Sequence, residues 1–360
     1  NIVVTNVNLK PANGTLDGPD NRPIWIPENF SDESQLIDDR YTNIHRVGNT
    51  DRGYSYNLTA RIQNVFDNLI TANSRVKVDA SYSYGDSWVL NDGTSSQINS
   101  LWDGVEHVNG ANNLSLSRSD FSTGHRVLGR LTYSQEFLNN FAASLSLVYD
   151  GQSGRPFSYV IDDSDEMILE NGDPNSLLYV PRAASALTFE PTVVNGITIT
   201  PEQQAAALDQ FIAESDYLST RRGAYAERNA DQTPWEGVLN LNFTLGIFGD
   251  VVGRQQRIEI TADIFNFSSM LGDLFGTDWG QRYVGFGQFA PLSFQEFVDD
   301  DNGDYTPVYR AGAIVDTATD ANGNTFFNGA ISQEDAQDIL RTGSTYSSQW
   351  QMQLGVRYTF

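Results

Sequence analysis

The sequence has no cysteine, which excludes disulfide scaffolds, thiolate metal sites, iron–sulfur clusters and thiol nucleophiles. It is poor in cations: 22 Lys and Arg stand against 46 Asp and Glu, a formal net charge of -24. Nucleic-acid binding needs clustered Lys and Arg on phosphates, so that class of partner is excluded as well. No run approaches the ~18 consecutive apolar residues of a membrane helix. The three histidines, His45, His107 and His125, lie far apart and outside any metal-ligand spacing. Gly85-Asp86-Ser87 and Gln152-Ser153-Gly154 lack the setting of a nucleophile elbow. No enzyme is expected. The chain opens on Asn1, without Met and without a signal peptide, as a mature or partial chain would.

What is present is 12% aromatic residues and 30 Gly, too aromatic for a disordered acidic chain. A mean hydropathy of -0.38 would suit a soluble acidic β protein. The residue pattern argues for something else, because strict alternation of apolar and polar residues, the mark of a two-faced strand, recurs along the chain. In the last segment Trp350, Met352, Leu354, Val356, Tyr358 and Phe360 alternate with Gln351, Gln353, Gly355, Arg357 and Thr359. Similar runs cover Tyr54–Ile62, Val76–Tyr84, Val127–Tyr133, Phe141–Tyr149, Leu239–Ile247 and Ile258–Ile264, and a weaker one opens the chain at Ile2–Leu9. Eight strands are predicted.

Short links (Asp67 to Ser74, Leu138 to Asn140, Phe248 to Gly253) alternate with long ones (Lys10 to Arg52, Gly85 to Gly124, Gln152 to Trp235, Ser268 to Ser347). Short turns on one side and long loops on the other are the plan of an outer-membrane β-barrel. Tyr54, Tyr82, Tyr84, Tyr149 and Trp350 then fall at the outer strand ends, and Phe66, Phe137, Phe141, Tyr358 and Phe360 at the inner ends. That matches two aromatic girdles. The predicted fold is therefore all-β: a transmembrane antiparallel barrel with long extracellular loops. Arg61, Lys77, Asp79, Arg126, Arg130, Asp150, Glu259, Asp263 and Arg357 take the polar strand face, which should point inward, since a charge on the lipid face costs up to ~2–4 kcal/mol at the midplane.

Two short helices are predicted in the loops. Thr200-Pro201-Glu202-Gln203 reads as N-cap, first-turn Pro and capping-box Gln, with Leu208, Phe211, Ile212 and Leu218 at helical spacing and Gly223 beyond. Ser332 with Asp335 opens the second, with Ile339 and Leu340 apolar and Gly343 at its end. Acidic stretches at Asp299, Asp301 and Asp304, and at Asp162-Asp163 with Asp165-Glu166, offer several oxygens to a Ca²⁺ ion, although neither fits the EF-hand pattern. Solvated acidic turns are the plainer reading.

Several short stretches resemble, in order, the TonB-dependent outer-membrane receptors of the Oar-like branch. They are Asn49-Thr50-Asp51-Arg52-Gly53-Tyr54-Ser55-Tyr56, Tyr84-Gly85-Asp86-Ser87, Asn91 to Gln97, His125-Arg126, and Gly151-Gln152-Ser153-Gly154-Arg155-Pro156-Phe157-Ser158-Tyr159. Asn171-Gly172-Asp173, Leu178 to Pro181, Arg222-Gly223, Arg228-Asn229, Pro234-Trp235 and Asp263-Ile264-Phe265-Asn266-Phe267 continue the series. Asn240, where relatives carry Asp, and Ser269, where they carry a second Asn, are departures that blur the subfamily.

The resemblance implies the last eight of 22 strands, with the plug domain and earlier strands absent from residues 1–360. It implies a bacterial outer-membrane receptor importing a bulky nutrient (siderophore, glycan or peptide). Partners would be outer-membrane lipids, the barrel-insertion machinery reading the Trp350–Phe360 strand, the energy-transducing TonB complex acting through the plug, and a surface lipoprotein or other complex subunit. Two other readings are a structural, adhesion or complex-forming barrel without import activity, and a soluble β-sandwich binding module.

Overall fold

A computed structural model describes residues 2–26, 35–137, 140–162, 167–168, 175–251, 254–282, 287–339 and 348–360. The protein is all-β, with 51% of it in strands and few helices. Among the described residues no helix is long and apolar enough to cross a membrane.

Seven long strands form one antiparallel sheet: β1 (Tyr54–Asp67), β2 (Ser74–Val89), β3 (Gly124–Phe137), β4 (Phe141–Gln152), β5 (Glu236–Val251), β6 (Arg254–Phe265) and β7 (Gln351–Thr359). Their order is β7-β6-β5-β4-β3-β2-β1, each strand beside its neighbour in sequence. A two-residue stub, Ser117–Arg118, pairs with Trp88 and Val89 of β2. Among the described residues the sheet has two edges, β1 and β7.

Register carries the alternation across the whole sheet. Leu58 lies opposite Tyr84, Ala80 opposite Gly129, Leu131 opposite Leu147, and Leu145 opposite Phe243. Leu245 lies opposite Ile260, and Ile260 opposite Val356. Since opposed residues share a face, these form one continuous apolar face. Its side chains are exposed: Leu58 at 70%, Leu354 at 69% and Val356 at 75%. All nine charged positions expected on the polar side share the opposite face. There Arg61 pairs with Asp79, Arg126 with Asp150 at 2.8 Å, and Arg257 with Glu259 at 3.0 Å.

The strands join by short links at one end, the turn end, and by long ones at the other, the loop end. At the turn end Asn68 and Asn73 adopt φ of 57° and 62°, left-handed values that Asn tolerates better than most residues. The Asn68 N–H donates to the Ser74 carbonyl at 2.6 Å and closes the turn.

The opening strand corrects the expectation of eight. Ile2–Asn6 pairs antiparallel with His45–Asn49, apart from the main sheet, and Leu9 bridges to Leu36. Its alternation is genuine, yet burial does not follow it, and Val7 is exposed. Val4 and Leu9 enter a core, while Asn6 and Asn8 are also buried. The Asn6 side chain donates to Asn43 at 2.6 Å, and Asn8 donates to the Asp38 and Tyr41 carbonyls at 3.0 and 2.6 Å.

The long connections are not separate loops. Together they fold into a cap with its own hydrophobic core at the loop end. A five-stranded mixed sheet runs Thr188–Phe189, Asp304–Arg310, Gly287–Asp299, Pro156–Asp162, Asp231–Gln232, with parallel pairing of Phe157 to Gly287 and Thr188 to Val308. Helix α1 (Pro201–Glu214) packs on it and carries the expected capping box. Gln203 N–H donates to Thr200 Oγ1 at 3.3 Å, and Thr200 N–H to Gln203 Oε1 at 2.9 Å. Leu208, Phe211 and Ile212 are fully buried. Leu218, expected on this helix, sits in the following 3₁₀ turn, Leu218–Arg221. The ring of Phe211 lies 5.7 Å from Phe289 and 6.4 Å from Tyr159, centroid to centroid.

The second expected helix, Gln333–Ile339, is capped by Ser332 and Asp335; Leu340 and Gly343 lie outside the described residues. Two helices were not expected. One is Ile98–Trp102. The other, α2 (Phe267–Phe275), is capped by Asn266 at φ 51°, so the strand expected to run through Phe267 ends at Phe265.

Truncating Phe211 to Ala should destabilise the cap by roughly 3–5 kcal/mol through lost burial and a residual cavity. Limited proteolysis should then cut within residues 153–235 while the turn-end links 68–73 and 138–140 keep wild-type resistance. Equal sensitivity at both ends would contradict a separate cap core.

Candidate functional site

The passage from β4 into the cap is built around close backbone approach. Gly154 has no room for a side chain: a Cβ there would lie 1.9 Å from the Thr233 carbonyl oxygen. This contact lets Arg155 N–H reach Thr233 Oγ1 and Thr233 N–H reach the Arg155 carbonyl, both at 2.9 Å. Ser153 N–H donates to the His125 carbonyl at 2.8 Å, and Ser153 Oγ accepts from His125 N–H at 3.0 Å. Phe157 and Tyr159 then plunge into the cap core. The stretch Gly151 to Tyr159, notable in the sequence, thus fastens sheet to cap.

Above the polar face at this junction lies a cavity of about 660 Å³. Arg126 and Gln152, opposite one another in β3 and β4 on the polar face, form its floor. Glu106, Asp120, Arg155 and Gln288 come from the cap. Gln288 Nε2 donates to Glu106 Oε1 at 3.0 Å and to Asn175 Oδ1 at 2.9 Å. Asn229 Nδ2 donates to Asp120 Oδ1 at 2.6 Å. Burial raises the Glu106 and Asp120 carboxyls above the ordinary range. The Gln288 bond opposes this most at Glu106 and the Asn229 bond at Asp120, while Asp92 nearby adds repulsion at Asp120. Carboxyls, amides, a guanidinium at the floor and another at the wall give the cleft donors and acceptors on every side. That suits recognition of a polar ligand at the size of known small-molecule sites.

Behind the cleft, Arg228 and Asn229 fasten the cap to the loop end of β2. Arg228 donates to the Val89 and Leu90 carbonyls at 2.8 Å each, and Asn229 donates to the Arg118 carbonyl at 2.9 Å. Asn229 sits at φ 55°.

The remaining sequence expectations land elsewhere. Asp299, Asp301 and Asp304 lie at the tip of a cap hairpin. Asp299 caps its own turn by accepting from Asn302 N–H at 3.3 Å, and Asp304 accepts from Thr306 N–H at 3.1 Å. Among the described residues no three His, Asp or Glu side chains form a group able to hold a metal ion. Asp163, Asp165 and Glu166 lie outside the described residues. His125 joins the aromatic row, with Nδ1 2.6 Å from the Tyr82 hydroxyl. His45 packs near Trp102, ring centroids 5.3 Å apart. His107 is buried in the cap, where desolvation pushes its imidazole down to about 3. Trp350, Met352, Leu354, Val356, Tyr358 and Phe360 stand on the open edge, all exposed. Sequence reasoning did not single out Glu106, Asp120 or Gln288. Nothing local marks them, and only the cap brings them together.

No family model matches the chain, and neither does a characterised protein or a solved structure.

The raised carboxyl of Glu106 gives a signed pH prediction. Its neutral form is the one burial favours, so its contribution to stability is complete below the unfolded carboxyl value and fades as pH rises through the raised folded value. Glu106→Gln keeps an acceptor for Gln288 and should raise the cap's unfolding temperature at pH 7.5. That gain should shrink towards nothing near pH 4. Tryptophan-monitored unfolding of both forms at both pH values checks this, and a pH-independent difference would contradict a raised carboxyl.

Proposed function

We propose that the chain is the C-terminal part of the β-barrel of a TonB-dependent outer-membrane receptor that imports a bulky nutrient. The observation that carries this reading is the continuous exposed apolar face of seven strands, with short links at one end and a folded cap at the other. In water such a face would be a liability, since monomeric soluble proteins rarely expose apolar patches beyond a few hundred Å². Against lipid it is the expected outer wall.

The strand lengths support a membrane crossing. They run from 9 residues in β7 to 16 in β2 and β5, against about 9–11 needed for a tilted transmembrane strand. Tyr54, Tyr82 and Trp350 near the loop end, with Phe66, Phe137, Phe141, Tyr358 and Phe360 at the turn end, are exposed on or beside that face, as interfacial aromatics are. The polar-face charges pair among themselves, Arg61 with Asp79 and Arg126 with Asp150 across strands and Arg257 with Glu259 along one, instead of facing lipid. The cap would present the polar cleft at the outer mouth, where an incoming ligand meets the lumen.

On this reading the edges β1 and β7 are joined by further strands of a larger barrel, and the plug that contacts the energy-transducing complex belongs to the same protein. Fractionation of producing cells tests the proposal. The protein should stay in the outer-membrane fraction through carbonate washing, with an intact mass about two to three times the 39.9 kDa of this chain. High solubility without detergent would overturn it.

Substitution separates the two faces. Leu145→Arg, on the apolar face, should cost about 2–4 kcal/mol of membrane stability if it lies near the midplane. Thr244→Arg, on the polar face, should cost far less. Heat-modifiable migration after folding into lipid vesicles reads both, and equal losses would argue against a lipid-facing side.

A further inference from the structure

A second cavity, of about 740 Å³, lies on the other side of the cap junction. Three arginines line it, Arg118, Arg221 and Arg228, in a chain with only 22 Lys and Arg. Trp88, Tyr217 and Tyr225 supply aromatic walls. Arg118 is the cross-strand partner of Trp88. Trp88 is in turn opposite Tyr54 and stacks on it, centroids 6.4 Å apart. These positions belong to the apolar face at its loop end, so the cavity borders the outer aromatic row, away from the polar cleft.

The cavity's own lining carries three guanidiniums and one carboxylate, Glu227. Arg118 meets Asp86 only at 3.4 Å. Arg221 pairs with Glu227 at 3.1 Å, a carboxylate that also lines the cavity and is 56% exposed, and donates to the Tyr225 carbonyl. Arg228 is 4% exposed and gives its terminal nitrogens to two backbone carbonyls; its Nε is buried without a hydrogen-bond partner. Arg118 and Arg221 thus face Asp86, which is committed to Ser87, Trp88 and Ser122, and Glu227, which is displaceable into water, while Arg228 also feels Asp120 and Glu106 from the neighbouring cleft. Guanidinium forks match phosphate oxygens, and the field of a buried arginine reaches further than an exposed one.

We propose that this cavity binds the phosphomonoester head group of an outer-leaflet membrane lipid. Arg118 and Arg221 would bond the phosphate oxygens, Arg228 would hold the positive field, and Trp88, Tyr217 and Tyr225 would flank the head group. The cavity has the volume of a small-molecule site, and an aromatic row at the membrane surface places it at head-group depth. The inference rests on the barrel reading, because the apolar face must meet lipid for the cavity to lie at that depth.

The test uses the full-length protein folded into vesicles, with insertion scored separately by heat-modifiable migration. A phosphorylated glycolipid, its dephosphorylated counterpart and inorganic phosphate are each titrated, with tryptophan fluorescence as readout. The phosphorylated glycolipid should bind saturably, and the other two at least about tenfold more weakly. Arg118→Gln and Arg221→Gln should each weaken it by about tenfold, the worth of one charged hydrogen bond. Arg228 is left in place, since its loss would uncap the Val89 and Leu90 carbonyls. Inserted protein that binds inorganic phosphate as tightly as the glycolipid, binds neither, or binds equally in both variants overturns the site and leaves the barrel reading standing. Protein that never inserts overturns both.

Discussion

Strand register is the constraint on which the rest of the molecule depends. Side chains alternate with a period of two, so a slip of one residue between neighbours would exchange the faces of a strand. Arg61, Asp79, Arg126 and Asp150 would then stand among Leu58, Leu131 and Leu147. The exposed pairs Arg126–Asp150 and Arg257–Glu259 add little to stability individually. The cross-strand pair Arg126–Asp150 also adds specificity, because it forms only in the native register, whereas Arg257 and Glu259 lie on one strand. The polar bonds of β3 and β4, such as Thr132 with Ser146 at 2.8 Å, act in the same sense.

The cap depends on that register in turn. Its segments join the sheet at the loop ends of all seven strands, and they can share a core only if those ends are held at fixed spacing. Gly154 against Thr233 and Gly287 against Phe157 mark where two backbones come too close for any side chain; a Cβ at Gly287 would lie 2.3 Å from that of Phe157. Arg228 then ties residues 217–230 to the end of β2. One cavity opens over the polar face and another borders the apolar face. The acidic surface and the exposed apolar face are thus properties of different layers of one chain, which is why average hydropathy describes neither.

The long strands were legible in the sequence because one face is consistently apolar and nothing else competes for it. Ile2–Leu9 shows the limit of that signal. Alternation there reflects Asn6 and Asn8 bonded inside the cap, and the pattern cannot tell a polar residue facing water from one buried and satisfied. Helix α1 was legible through Thr200, Pro201 and Gln203, since a capping box is local chemistry. The cap sheet was not. Its strands are short, down to two residues at Thr188–Phe189 and Asp231–Gln232, and its parallel pairing of Phe157 with Gly287 joins segments distant in sequence. The cleft was illegible for the same reason, as that pairing carries Gln288 to Glu106, and Asp120 is held there by Asn229, both from distant segments.

The sheet's edges sharpen the proposed reading. Every residue of β1 is exposed, and so is all of β7 except Gly355. Each edge presents backbone N–H and C=O groups along its length. In water such an edge is solvated but invites pairing with another chain. In a bilayer unpaired backbone groups cost several kcal/mol each, so an open edge there is not viable. On the proposed membrane reading such edges have to be paired, either with each other or with further strands. The exposed apolar face and the exposed edges therefore point to the same requirement, and a membrane reading that kept β1 and β7 as free edges would contradict the physics that motivates it.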